Sequence, residues 1–269
     1  MRTDEVGFIA IAMFQVEGIF ADVISWLKPV WTQANEFALG IHTVPHPSIG
    51  SSRSSTRPWW LGEPSERARH DDNVRYETAD YWNIRKVARI LKPGPEDVFY
   101  DIGSGMGRML CVMARRPIRK CIGIELFEPL CEIARRNVAS LRGRKAPVEI
   151  RCADAATADL SDGTIYYMFN PFGEETLRDA LENIRTSLSR KSRTVTLVYY
   201  NAVHETLLND IGWLEKIGQF NAFGGHVVSL WRSTPARHAT ESTSNTQRDR
   251  EDNTHAAAIR DGSTGRRGL

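Results

Sequence analysis

The sequence predicts an α/β fold, a mostly parallel sheet with helices on both faces. Three observations carry this expectation. Short apolar runs alternate with stretches of helical spacing from residue 97 onward. The first run ends in a glycine-rich loop, Asp101-Ile-Gly-Ser-Gly-Met-Gly107, that opens directly into a helix. The last two apolar runs are joined by a loop holding Gly224-Gly225 and read as an antiparallel pair.

Before the first strand, Thr78 is a plausible N-cap for a helix over Ala79 to Leu91, whose apolar stripe is Ile84, Val87, Ala88 and Leu91. Strand 97–101 leads to helix 106–116, and strand 120–125 to a helix opening at Pro129, a favoured first-turn residue. Strands 148–152 and 164–169 follow, then helix 174–189 with Leu177, Leu181, Ile184 and Leu188 at helical spacing. Strand 194–200, a short helix running to about Ile211, and strands Leu214 to Phe220 and His226 to Trp231 complete the pattern.

The glycine loop lets a ligand lie against backbone with no Cβ in the way. Its spacing is not that of a dinucleotide site. The glycines fall at 103, 105 and 107, Arg108 stands where the last glycine of G-x-G-x-x-G would be, and the carboxylate of Asp101 faces the place a pyrophosphate would occupy. A ligand with a cationic end fits better, and S-adenosylmethionine carries an ammonium and a sulfonium but no phosphate. Two further strand ends suit it. Glu125 closes the second strand, where an acid can accept both ribose hydroxyls, and Asp154 follows the third, in position to accept an adenine amino group.

With Ile122-Gly-Ile-Glu125, the stretch Asp97-Val-Phe-Tyr-Asp-Ile-Gly-Ser-Gly-Met-Gly-Arg resembles the Rossmann-like class I S-adenosylmethionine-dependent methyltransferases. Within that superfamily the chain is most similar to the Dot-one-type protein lysine methyltransferases, which lack a SET domain, and to their bacterial relatives. The resemblance spans about residues 74 to 233 and implies a seven-strand sheet, mostly parallel with an antiparallel last strand. It implies a cofactor site of Asp101, Gly103, Ser104, Gly105, Glu125 and Asp154. It also matches Tyr76, Glu77 and Thr78 to a Tyr-x-x-Thr or Tyr-Gly-Glu-Thr loop that lies over the methionine end of the cofactor, although the glycine is missing here. The reading from residues alone is a simple helix cap.

The reaction position follows the fourth strand, at Asn170-Pro-Phe172. Asn170 can accept a hydrogen bond from an amine and aim its lone pair, and it also stands near the cofactor. Pro171 stiffens the loop, and Phe172 offers a ring to a flat or cationic substrate. The expected catalytic group is therefore Asn170, Phe172 and Tyr76, in one pocket closed by an N-terminal helix and Trp59-Trp60. The loop departs from the N-P-P-Y pattern of amino-methylating enzymes, which argues against a base-flipping adenine methyltransferase. The alternative for Phe172 is a buried ring in a strand-to-helix turn. Tyr199, Tyr200, Asn201 and His204 end the fifth strand on the same rim; His204 is either a general base or a plain helix-start residue.

Composition sets the remaining bounds. A chain of 269 residues with 41% hydrophobic content supports one core of roughly 160 residues with extensions at both ends. The expected division is an N-terminal helical extension and linker over 1–66, a methyltransferase domain over 67–234 and a disordered tail over 235–269. Val6 to Leu27 reads as an amphipathic helix, since Glu17 and Asp22 interrupt any membrane-length run. Trp59-Trp60 either lines a site or packs as a clasp. The net charge of +2 gives no argument for a stable nucleic-acid partner, and no membrane partner is indicated. Four cysteines without a C-x-x-C pair read as buried thiols in a reducing cytoplasm, with no metal site.

The expected function is methyl transfer to an N or O nucleophile, a protein side-chain amine first. The alternatives are a small metabolite as acceptor, or a protein that binds S-adenosylmethionine without catalysis.

Overall fold

The structure, a computed structural model, describes residues 27–43, 69, 72–74 and 76–234. The expected helix over Val6 to Leu27 (but for Leu27 itself), Trp59-Trp60 and the tail lie outside the described residues. The described chain starts with a helix at 27–39 (α1). It continues with α2 (Tyr81–Leu91), β1 (Val98–Ile102), α3 (Arg108–Met113), β2 (Lys120–Glu125), α4 (Glu128–Ser140), β3 (Val148–Cys152) and β4 (Ile165–Phe169). After these come α5 (Glu174–Arg190), β5 (Thr196–Tyr200), α6 (Glu205–Asp210), β6 (Leu214–Asn221) and β7 (Val227–Ser233).

The strands form one seven-stranded sheet in the order β3-β2-β1-β4-β5-β7-β6. β1 to β5 run parallel, and β7 pairs antiparallel with both β5 and β6. The chain leaves β1 in one direction toward β2 and β3 and resumes on the other side at β4. The sheet therefore has a switch point between β1 and β4, where ligands bind beyond the strand ends in open α/β sheets.

Alternation along the strands splits the core in two. Phe99, Cys121, Tyr167, Val198 and Tyr200 pack with α2, α3 and the end of α4. Tyr100, Ile102, Ile122, Ile124, Tyr166, Met168 and Tyr199 pack with α5 and α6 on the other face. β1 is buried along its whole length, as a strand covered on both faces must be. No helix among the described residues is long and apolar enough to cross a membrane.

Two sequence expectations need correction. Thr78 does not cap α2; the helix starts at Tyr81, after Asp80, and Asp80 makes no side-chain cap bond either. Asp80 is extended, with φ −63 and ψ 146, which holds the start of the helix back to Tyr81. α3 is also shorter than predicted, since Gly107 adopts φ 82 at its N-cap and delays the helix to Arg108. Residues 27–43 fall in the expected extension, yet Leu39, Ile41 and Thr43 are buried.

Candidate active site

β1 delivers Asp101 and the glycine loop to the switch point. Gly103 and Gly105 have φ 75 and 52, backbone states that L side chains avoid. The space around them is also closed. A Cβ on Gly103 would lie 2.3 Å from Pro171, and one on Gly105 would lie 2.1 Å from the Tyr76 ring. The loop is thus clamped between the end of β4 and the segment before α2. The Gly103 and Ser104 amides both donate to the Ile124 carbonyl of β2, at 2.9 and 3.0 Å.

Glu125, at the end of β2, holds the loop from the other side. Its two carboxylate oxygens accept from the amides of Gly105 at 2.8 Å and Phe127 at 3.0 Å. Asp154 accepts likewise from the amides of Ala156 at 2.8 Å and Arg69 at 2.7 Å. These bonds fix the carboxylates in orientation. Each oxygen keeps a further lone pair for a ligand donor.

The cleft has two chambers that share Tyr76, Glu77, Gly103 and Phe169. The larger, about 660 Å³ with an open mouth, is walled by Glu125, Asp154, Asn170 and Phe172. The smaller, about 330 Å³, is walled by Asp101, Ser104, Thr78 and Tyr167. The structure brings Tyr76, Asn170 and Phe172 to one chamber and Thr78 to the adjoining one. Of the two alternatives for Phe172, its burial matches the ring in a strand-to-helix turn. It lines the chamber, yet only 5% of it is exposed and it packs with Leu177 and Tyr199 in the core.

S-adenosylmethionine fits these donors and acceptors. The Ser104 hydroxyl is buried with no partner among the described residues, and the Asp101 carboxylate, unlike its backbone, makes no hydrogen bond among them. Burial first, and the nearby charge of Glu125 second, push the Asp101 carboxyl up to about 8. Burial also raises Glu125, against the pull of the amides it accepts from. Two crowded buried acids leave a site that gains from a cation. Asp101 and Ser104 suit an ammonium and a carboxylate, while Glu125 and Asp154 suit hydroxyls and an amino group.

Beyond this cofactor end lies a rim of aromatic and amide groups. Asn170 ends β4 with φ 38, and its carbonyl oxygen accepts from the Tyr199 hydroxyl at 3.1 Å. Phe169 and Tyr200 rings stand 4.4 Å apart, and His226 lies 5.6 Å from the first and 5.7 Å from the second. Glu77 approaches the His226 Nε2 at 4.0 Å. Asn83, fully buried on α2, donates to the Tyr200 hydroxyl and to the Phe223 carbonyl, both at 2.9 Å. It thereby ties the β6–β7 turn to the rim. His204 lines neither chamber; its amide donates to the Tyr199 hydroxyl at 3.4 Å.

Sequence reasoning missed one group behind the glycine loop. Arg108 is buried, donating to the Thr43 hydroxyl at 2.6 Å, the Ala79 carbonyl at 3.1 Å and Glu36 at 3.2 Å. Its guanidinium also lies 4.8 Å from the Tyr81 ring centre. The Thr43 carbonyl in turn accepts from the Tyr76 hydroxyl at 3.1 Å. The residue that breaks the dinucleotide spacing is therefore the hub joining α1, the segment before α2 and the loop. An arginine after a glycine turn carries no signal of a partner on a distant helix.

Residues 72–155 match the model of the family described as "Histone methylation protein DOT1". A protein-lysine N-methyltransferase of Saccharolobus islandicus is 27% identical over 89 residues, which is 32% of this chain and 53% of that one. The chain thus spans about half the length of this curated relative. Among solved structures, an RNA methyltransferase from Salinibacter ruber in complex with S-adenosyl-L-homocysteine is 22% identical. That match covers 62% of this chain and 98% of that one, with a TM-score of 0.43. A SAM-dependent methyltransferase from Aquifex aeolicus is 13% identical over 56% of this chain and 90% of its own, with a TM-score of 0.45. The stretch that matches the family, residues 72–155, holds the glycine loop together with Asp101, Glu125 and Asp154.

Proposed function

We propose that the protein transfers a methyl group from S-adenosylmethionine to the amine of a protein side chain. The observation that carries the reading is the rim itself. Asn170 leaves β4 in a left-handed turn beside the cofactor chambers, next to Phe169 and the Glu77 carboxylate, which line both chambers, with the buried Tyr200 ring packed behind Phe169. Aromatic faces with a carboxylate nearby attract an ammonium more than a neutral hydroxyl. The partial match to a protein-lysine N-methyltransferase supports the same acceptor.

When bound, the cofactor supplies a methyl group already activated on a sulfonium, so the protein need not activate it. What the chain must supply is alignment, dryness and a route for one proton. Asp101, Ser104, Glu125 and Asp154 bind, through the donor and acceptor match above. Asn170, held by Tyr199, presents its amide to the acceptor nitrogen and fixes its approach. The Phe169 ring, backed by the buried Tyr200, shields the acceptor from water on one side. Glu77 and His226 stand at the outer edge as acceptors for that proton.

In this reading residues 67–234 form the catalytic domain, with 1–66 shaping acceptor choice and 235–269 a tail. Three of the four cysteines are buried and none forms a disulfide, which suits a reducing compartment such as the cytoplasm. A methyl-labelling assay on lysate, split into protein, nucleic-acid and small-molecule fractions, tests the proposal. Label in protein, lost in Asn170→Ala, is the expected result. Label in small molecules only would replace the acceptor. None in any fraction, with cofactor bound, would leave a non-catalytic binder.

A further inference from the structure

A second concave surface lies far from the cleft, beside the amino-terminal ends of β2 and β3. Two basic runs of the sequence meet there, Arg115-Arg116-Pro-Ile-Arg-Lys120 and Arg142-Gly-Arg-Lys145. They are joined by backbone bonds, since the amides of Lys145 and Ala146 both donate to the Ala114 carbonyl, at 2.8 and 3.0 Å. α2 adds Arg85 and Arg89 from the side. The result is a groove of about 1100 Å³, open to solvent, lined by Arg85, Arg89, Arg115, Arg116 and Lys145 and, among the described residues, by no acidic one. Arg115, Arg116 and Lys145 form no ion pair with a described residue. Five cations facing one groove repel one another unless an anion lies among them.

Two exposed aromatic residues of α1 border this surface. Phe37 is 75% exposed and Trp31 48% exposed. Each ring has an arginine guanidinium near it, Arg142 at 5.5 Å from Phe37 and Arg85 at 5.9 Å from Trp31. Arg142 also donates to the Phe37 carbonyl at 2.9 Å, which holds ring and groove edge together. Of the apolar residues lining the groove, Leu39 and Val112 are buried and only Pro117 is exposed, which leaves no large apolar anchor for a protein partner. A row of cations for a backbone, with flat rings beside it for bases, is the pattern that takes single-stranded nucleic acid. We infer that this groove binds the phosphodiester backbone of a single-stranded nucleic acid, with bases stacking on Phe37 and Trp31. The near-neutral charge of the whole chain conceals it, because acids elsewhere offset a local cluster.

The inference is separate from the methyl acceptor and is tested without turnover. Fluorescence anisotropy of the full chain with a labelled 20-nucleotide oligouridine should show binding that weakens with salt. The slope of log K against log salt should be about −2 to −4, at about −0.7 per phosphate neutralised. The combined reversal Arg115→Glu, Arg116→Glu, Lys145→Glu should weaken binding at least about tenfold, as the loss of two or more phosphate contacts requires. Phe37→Ala should weaken the single strand several-fold and a duplex little. S-adenosylhomocysteine affinity, by calorimetry, should stay at the parent value in both variants and so report an intact fold. Unchanged affinity in the triple reversal overturns the inference. So does equal affinity for polyaspartate with no effect of Phe37→Ala, since that pattern belongs to an acidic protein partner.

Discussion

The two halves of the cleft are built by different means. On the cofactor side, the acids at the ends of β2 and β3 are held by backbone amides close by in the fold. Glu125 takes those of Gly105 and Phe127, and Asp154 takes those of Ala156 and Arg69. On the side proposed for the acceptor, side chains hold one another over long separations. Asn170 is fixed by Tyr199, and Tyr200 by Asn83, 117 residues away. A site built on backbone turns is specified by a motif. A site built on side-chain pairs is specified by the whole tertiary fold, so acceptor choice can change without disturbing cofactor binding.

The largest effect should come from the hub behind the cofactor side. Arg108→Ala leaves Glu36 buried without its cation, which costs about 3–5 kcal/mol and should lower the melting temperature sharply. Glu36→Leu with Arg108→Met should recover most of it, because removing both charges removes the desolvation penalty as well. A double variant no better than the single one would mean that Arg108 matters for its bonds to Thr43 and Ala79 instead.

The next effect separates two glycines. Gly105→Ala meets the Tyr76 ring at 2.1 Å in a left-handed backbone. It should cost about 1–2 kcal/mol for the backbone and about 1–3 more for overpacking. S-adenosylhomocysteine affinity should fall at least about tenfold, the equivalent of 1.4 kcal/mol. Gly212, also left-handed at φ 69, has nothing within 4 Å of its would-be Cβ. Gly212→Ala should therefore show only the backbone cost, in stability and not in affinity. Equal effects at the two positions would refute the clamp by Tyr76.

Asn170→Ala should sharpen the comparison between the halves. Turnover should fall by about 10², the scale expected when a reacting group is misplaced, with cofactor affinity nearly unchanged. Single-turnover kinetics beside calorimetry would read both. Equal loss of both would put Asn170 on the cofactor side. Tyr199→Phe, which removes the hydrogen bond to Asn170 and the longer one from the His204 amide, should give a smaller loss of the same kind.

The mildest test is pH. Asp101 titrates near 8 in the fold against 3.8 when unperturbed. A raised folded-state value means that its contribution to stability is full below the unfolded value and is lost as pH rises through about 8. A cationic ligand end reverses the preference, because it stabilises the carboxylate. Cofactor binding near neutral pH should therefore release a proton, and affinity should climb with pH until about 8. Calorimetry in two buffers of different ionisation heat would show the proton. Asp101→Asn should abolish its release and flatten the climb. A release that persists in this variant would assign the proton elsewhere.

The sequence alone determined the order of strands and helices and the strand ends at which Asp101, Glu125 and Asp154 stand. The alternation of periods is local, and each acid at a strand end follows directly from its own apolar run. Asp101, Glu125 and Asp154 were legible for that reason. Tertiary structure alone decided the rest. α1 escaped because its pattern is inverted. Thr32, Asn35, Glu36 and Leu39 face inward, while Leu27, Val30, Trp31 and Phe37 stand exposed. A polar face reads as solvated unless its partner is known, and the partner of Glu36 is Arg108, 72 residues on. Asp72 is similar. It accepts from the amide and hydroxyl of Thr176 at 3.1 and 2.6 Å, and Asn73 bridges to Phe172, which seats the segment before α2 against the loop after β4. The meeting of the two basic runs was equally invisible, since it depends on where the turns after α3 and α4 come together. Periodicity and turn chemistry act over a few residues. Buried charge pairs, aromatic rims and surface charge clusters depend on distances in space, which only the folded sheet sets.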